Sequence, residues 1–148
     1  MNTAATKLPK DFFGQSESDA MQYLLNHLSI IVTGIPGFGK TFFAKHILNR
    51  ISAEHPEILT YSVDINFLPD FTSPQFLPTI GERLGGKRSM DIHSLLEKIT
   101  KEHRVIISLE GVSKNTDARI LNFFHHLGTI NHTCITFITT AHASVLEE

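Results

Sequence analysis

Eight consecutive residues, Gly34-Ile35-Pro36-Gly37-Phe38-Gly39-Lys40-Thr41, concentrate the recognisable chemistry of this 148-residue chain. They spell G-x-x-x-x-G-K-[ST], with the apolar run Ser29-Ile30-Ile31-Val32-Thr33 before them and a helical pattern after them. Glycines at 34, 37 and 39 let the backbone curl closely around an anion and turn several N–H groups toward it. The start of the following helix adds its partial positive charge. A nucleotide's phosphate chain is the anion that suits such a cradle. Lys40 is placed to reach the β- and γ-phosphate oxygens, the Thr41 hydroxyl to join the coordination of Mg²⁺, and Pro36 to stiffen the loop. Phe42, next in the chain, completes the expected nucleotide contacts. A bare Gly/Pro turn can spell the same string; the strand before it and the helix after it favour the phosphate loop.

Two carboxylates end or follow runs that read as strands. Glu110 ends the apolar run Val105–Leu109, and Asp64 ends the alternating run Ile58–Asp64. Asp64 reads as a strand-ending cap for the next turn. Asp117 reads as a partner for the N-terminal dipole of a helix. The nine histidines include no i, i+4 pair and have no cysteine partner at zinc spacing, so no metal beyond Mg²⁺ is expected. His125 and His126 are adjacent and face different sides of a helix. The Asn-Lys-x-Asp box that reads guanine is absent, since residues 113–117 spell Ser-Lys-Asn-Thr-Asp. ATP is therefore the expected nucleotide.

These residues need elements to hold them. Ser16 or Ser18 can cap a helix running to about His27, with Met21, Leu24, Leu25 and Leu28 on one face. Ser29–Thr33 reads as a buried strand. A helix follows from about Lys40 to Ser52, with Phe42, Phe43, Ile47 and Leu48 as its apolar stripe. Ile58–Asp64 is a second strand, and residues 65–73 with Pro74 form a loop. Ser73 and Pro74 are suited to open the next helix, which Gly85-Gly86 close. Met90–His103 has helical spacing. Arg104–Leu109 is a strand of the continuous, buried type; Asn115 or Thr116 can cap a helix through Leu127; Cys134–Thr139 is the last strand. Strands alternating with helices predict an α/β fold, a parallel sheet covered on both faces.

Composition narrows the field. The length suits one domain, and 41% hydrophobic residues exclude a disordered composition. Thirteen basic against fifteen acidic residues, with no block of like charge, supply no footprint for nucleic acid or an anionic membrane. No apolar run approaches the ~20 residues of a membrane helix, and residues 1–10 lack a signal-like apolar region. The one cysteine, Cys134, reads as a small buried hydrophobe, in keeping with a reducing, cytoplasmic setting. Phe67, Phe71 and Phe76 in or beside the Pro-bearing loop predict a partly exposed aromatic surface for protein contact, and Phe38 at the tip of the phosphate loop is expected to be exposed.

Beyond the single motif, the chain resembles AAA+ and STAND-type P-loop ATPases from residue 11 to about residue 146. Phe12-Phe13-Gly14-Gln15-Ser16-Glu17 resembles the F-x-G-R-x-x-E box before their phosphate loop; Gly14 and Glu17 supply its glycine and acid, and Gln15 stands in place of arginine. Gly34–Thr41 has their G-x-P-G-x-G-K-T form. Phe76–Gly86 is similar to the helix ending Leu-Gly-Gly that follows their second strand. Val105–Val112 resembles the Walker B strand, and Ile135–Thr140 the sensor-1 strand. The resemblance implies the strand order P-loop, sensor, Walker B, second strand, with Phe13 and Gly14 near the adenine and Glu110 as an Mg²⁺ ligand beside Thr41. It also implies a fifth strand and a helical lid. Residues 1–10 are then a flexible start, and residues 11–148 a core that stops about where the fifth strand begins, leaving Ser29–Thr33 as an apolar edge.

Departures from the family pattern bear on activity. Glu110 replaces the usual Asp of Walker B, Gly111 replaces the acid that orients water, and Ala141 replaces the sensor arginine, with His142 expected in a solvated loop. A carboxylate at the end of the second strand can face the γ-phosphate in related ATPases, so the resemblance implies Asp64 as the replacement base, a reading that stands level with its capping of the next turn. The resulting expectation is an ATP-binding switch, with Lys40, Glu110 and Asp64 as catalytic groups and slow or partner-dependent hydrolysis. A protein partner or a second copy would complete the site. Two alternatives stand beside it. One is a small-molecule P-loop kinase, against which a single arginine after Leu109, Arg119, counts. The other is a module that binds ATP without hydrolysing it.

Overall fold

The computed structural model describes residues 15–34, 39–87, 91–130 and 135–142. In chain order these form α1 (Gln15–Leu25), β1 (Ile30–Gly34), α2 (Lys40–Glu54), β2 (Ile58–Asp64), a 3₁₀ turn (Ile65–Phe67), α3 (Phe76–Arg83), α4 (Ile92–Thr100), β3 (Arg104–Val112), α5 (Ala118–Ile130) and β4 (Ile135–His142). Each strand is rich in β-branched residues, and every connection between sheet neighbours in sequence contains a helix, which is what parallel pairing requires. The sheet is parallel throughout, in the order β1-β4-β3-β2. That is the predicted order, with the last strand inserted between the strands carrying the phosphate loop and Glu110.

Side-chain alternation divides the core in two. Ile106 and Ile138 pack with Ala20, Met21 and Leu24 of α1 and Ala44, Ile47, Leu48 and Ile51 of α2. Val105, Ile107, Leu109, Ile135 and Phe137 pack on the other face with α3, α4 and α5. Nearly continuous apolar strands follow from cover on both faces. Phe71, Phe76, Phe123, Phe124 and Phe137 make a chain of tilted and edge-on ring contacts, with centroids 5.2–6.3 Å apart.

Several local expectations shift. Phe76 is 2% exposed and part of the core, so of the aromatic loop residues only Phe67 is fully exposed, with Phe71 partly covered by the Arg119 guanidinium. Phe42 is 50% exposed and leaves the buried stripe of α2 to Ala44, Ile47, Leu48 and Ile51. Ser73 Oγ accepts from Gln75 N at 3.1 Å, but α3 opens at Phe76, later than Pro74 implied. Asp117, rather than Asn115 or Thr116, accepts from the first turn of α5, through Arg119 N at 2.9 Å. β3 continues past Leu109 to Val112, and β4 past Thr139, so that Ala141 is buried and His142 pairs with Gly34 inside the sheet instead of lying in a loop. Met90 and Cys134 lie outside the described residues. Among the described residues β1 is a sheet edge, with Ile31 59% exposed. No helix among them is long and apolar enough to cross a membrane.

Candidate functional site

The phosphate-loop residues at each flank sit where the motif requires. Gly34 closes β1, and Lys40 and Thr41 form the first turn of α2. Gly39 has φ +82°, a left-handed conformation that favours glycine, and Phe43 N donates to its carbonyl at 2.7 Å to begin the helix. Lys40 and Thr41 thus stand at the N-terminal, partially positive end of α2. Ile35, Pro36, Gly37 and Phe38, like Phe13 and Gly14, lie outside the described residues. Phe42 projects to solvent one residue after Thr41.

The two acids meet at the C-terminal edge of the sheet. Asp64 and Glu110 are register partners on β2 and β3. Alternation from Ile106 places Ser108 and Glu110 on the face covered by α2, the helix that starts with Lys40. Thr140, counted from Ile138 on β4, belongs to the same face, and its hydroxyl lies 3.5 Å from Leu109 O. Glu110 is 8% exposed. Burial pushes its carboxyl above the ordinary glutamate range, with the neighbouring Asp64 charge adding to the rise; Lys45 on α2 and the nearby Ser108 hydroxyl oppose it only in part. Lys45 lies one helical turn beyond Thr41, so the helix of the phosphate loop brings its positive charge toward the Glu110 edge. A bulge follows. One extra residue enters β3 between Leu109 and Val112, and Gly111 takes φ +83°. A Cβ at Gly111 would stand 2.5 Å from Asn66 Nδ2 and 3.0 Å from Asp64 Oδ1. Asp64 Oδ1 also accepts from Asn66 N at 3.0 Å, so the capping reading of Asp64 holds, and its carboxylate lies at the Glu110 edge at the same time.

A cavity of about 450 Å³ opens between α1, β1 and the start of α2. Asp19 and Tyr23 of α1, Ile31 and Val32 of β1, and Lys40 and Phe43 of α2 line it. Behind it, α1 is fixed to α2 by charge. Glu17, 4% exposed, pairs with Arg50 and lies 3.1 Å from His46 Nε2, and Arg50 also binds Glu54 at 2.6 Å. Glu17 follows Gln15 by two residues, where the family box separates its arginine and acid by three; its carboxylate serves this helix–helix tie.

Sequence reasoning did not single out Asn66, Lys45, Ser108, Thr140, Asp19 or Tyr23. The alternation of β3 and β4 carried the signal for Ser108 and Thr140, because both share the parity of Glu110 or its sheet face. Asn66 and Lys45 enter only through packing across the sheet edge. Among the described residues no group of three or more His, Cys, Asp or Glu is arranged to hold a metal ion.

No protein-family model matches the chain, and no curated protein matches it. Solved structures do. A chain of Drosophila ORC bound to poly(dA/dT) DNA and Cdc6 aligns over 87% of this chain with TM-score 0.62 and 9% identity. The Pif1 helicase from Candida albicans aligns over 86% with TM-score 0.47 and 15% identity. This chain spans about a quarter of the first, 24%, and 32% of the second. The likeness to ORC, with the parallel sheet and its strand order, gives this chain the fold of a P-loop NTPase core.

Proposed function

We propose that the chain is an ATP-binding module of the AAA+/STAND kind, in which slow or partner-dependent hydrolysis switches its contacts within a larger assembly. One observation carries the reading: the G-x-x-x-x-G-K-T string runs from the end of a parallel strand into the first turn of a helix, with two register-paired acids at the same sheet edge. The phosphate chain would bind at the N-terminus of α2, with Lys40 against its terminal oxygens and the glycines at 34, 37 and 39, with Pro36, shaping the cradle. The base and sugar would occupy the cavity beside Tyr23, Val32 and Phe43, near Phe13 and Gly14. Phe38 and Phe42 would flank the phosphates and present aromatic surface to a partner.

The donor set fits a magnesium ion. Thr41 and Glu110 offer oxygen ligands, and Glu110 is a buried carboxylate whose burial outweighs the positive charge of Lys45, so a divalent cation would supply the missing counter-charge. Mg²⁺ when bound neutralises the developing phosphate charge. Lys40 and the first-turn amides do the same from the protein side, and Asp64 is the group placed to orient the attacking water. Arg119, the one arginine after Leu109, is paired with Asp117 at 2.7 Å, so a partner protein or a second copy would complete the site.

Phosphate release from ATP by the purified protein tests the hydrolytic part. Slow release that accelerates with a partner or at higher protein concentration is the expected result. Transfer of the γ-phosphate to an added metabolite in preference to water would instead establish the kinase reading, and ATP bound without any turnover the binding-only reading.

A further inference from the structure

A second cavity, of about 330 Å³, lies at the β2 edge of the sheet, between β2, the end of α3 and α4. Its size is at the small end of the ~300–1,000 Å³ of ligand pockets. Leu59 and Tyr61 line it from the sheet, on the face that packs with α3, α4 and α5, and Leu95 and Ile99 line it from α4. The Leu-Gly-Gly end of α3 closes it. Gly85 N donates to Glu82 O at 3.1 Å and Gly86 N to Gly81 O at 2.8 Å, the paired bonds of a helix that stops at a left-handed residue, here Gly85 at φ +85°. Such an ending needs one glycine, and an apolar side chain commonly follows it. Here a Cβ on Gly86 would stand 2.7 Å from Leu95 Cδ2, so the second glycine lets the chain lie directly against α4. A Cβ on Gly85 would touch the Tyr61 hydroxyl at 3.4 Å, so glycine leaves that hydroxyl uncovered on this side. Burial pushes the Tyr61 phenol above the ordinary tyrosine range, which keeps its proton available for donation. Lys87 and Lys98 border the cavity against one acid, Glu102, with His103 beside them. Among the described residues neither the Tyr61 hydroxyl nor the two lysines have a hydrogen-bond or ion-pair partner.

We propose that this cavity binds a small apolar acid, a compact hydrocarbon body carrying one carboxylate. The body lies on Leu59, Leu95 and Ile99, and the carboxylate accepts from the Tyr61 hydroxyl and from Lys98, with Lys87 adding positive charge. Two lysines against one acid select an anion over a cation. The apolar lining selects against a sugar or a polyphosphate, whose polar groups would lose water there without finding partners. The site is separate from the one read for ATP. Among the described residues β1 and β2 are opposite edges of the sheet, and the cavity beside Lys40 lies under α1 and α2, on the other face. The proposal therefore stands independently of nucleotide binding.

Titration of the isotope-labelled protein with 2-naphthoate, followed by the shifts of its backbone amides, tests this. The same ring with a neutral head, 2-naphthylmethanol, and with a cationic head, 2-naphthylmethylammonium, separates charge recognition from apolar adsorption. The titration is repeated on Tyr61→Phe, which keeps the ring, and on Lys98→Glu at an exposed position, each verified as folded by thermal melting. The expected result is saturable shifts with the acid, concentrated at Gly85, Gly86 and Lys98 and unchanged by ATP with Mg²⁺. The alcohol binds about tenfold more weakly and the ammonium more weakly still. Affinity for the acid falls ~3–10-fold in Tyr61→Phe and on the order of 10-fold in Lys98→Glu. No saturable shifts, shifts scattered over the surface, equal binding of the three heads, or displacement of the acid by ATP overturns the site. Unchanged affinity in either folded variant overturns the contact assigned to that residue.

Discussion

At the residue scale, Glu110 sits at a crowded sheet edge, where the space beside Gly111 is filled by Asn66 and Asp64. Glu110 is buried with an acid as its register partner, and its carboxyl is held above the ordinary glutamate value of 4.5. The folded chain therefore binds a proton more readily than the unfolded chain between 4.5 and the raised value, and stability falls as pH rises through that window. At neutral pH the ionised Glu110 is a net burden on the nucleotide-free fold. Glu110→Gln is predicted to melt at a higher temperature than wild type at pH 7, with the gap closing below about pH 4.5, where the carboxyl is protonated in both states; a gap constant across pH would contradict the assignment. Gly111→Ala is predicted to cost about 1–3 kcal/mol, since it combines a left-handed backbone with a 2.5 Å approach to Asn66, and urea melts would measure it. The sequence announced Glu110, Asp64 and the absent second acid. That Asn66 and Asp64 occupy the space beside Gly111 was not legible, because it depends on a bulge in β3 that redirects the chain after Leu109.

Elements hold these residues by contacts far apart in sequence. Arg104, at the start of β3, donates to Leu24 O at 2.7 Å, which also accepts from His27 N, and to Leu25 O at 3.1 Å, tying β3 to the C-terminal end of α1. Arg104→Ala is predicted to cost about 1.5–3 kcal/mol, the range for hydrogen bonds to a charged group, read from the midpoint of denaturant unfolding. Glu17 joins α1 to α2 through Arg50 and His46, so ion pairs tie together the two helices that border the 450 Å³ cavity. Glu17→Ala is predicted to loosen α1 from α2, seen as faster amide exchange in Gln15–Leu25, whereas protection equal to wild type would show that apolar packing alone suffices. The elements were readable where one rule dominated. Ile58–Asp64 matches its predicted bounds because alternation and Pro56 mark it, and the four parallel strands follow from β-branched runs separated by helices. Ends were less readable. α4 begins at Ile92 with Asp91 as its cap, through Ser94 N at 3.1 Å, where apolar spacing alone pointed to Met90. Phe42 and Phe76 exchanged roles because hydrophobicity says that a ring prefers burial, but not which ring the packing of α2 and α3 leaves room for.

For the whole molecule, the strand order β1-β4-β3-β2 converts a linear series of boxes into one sheet edge, with Gly34, Glu110 and Asp64 ending three of its four strands or lying at their ends. That order was legible because the phosphate-loop string anchors the first strand and the remaining strands follow it in the family's sequence. Helices α1 and α2 cover the face that carries Glu110 and Ser108, and α3, α4 and α5 cover the other with most of the aromatic core. Among the described residues this division leaves a cavity between the edge strand β1 and the start of α2, lined by Tyr23 and Lys40. The central claim is that this edge binds ATP through the phosphate loop. Its most direct test is calorimetric titration of the wild type and of Lys40→Ala with ATP in the presence of Mg²⁺. Saturable one-to-one binding to the wild type, lost in a Lys40→Ala protein that melts at the same temperature, is the predicted result; no heat of binding to the folded wild type, or equal binding to both, would contradict the account.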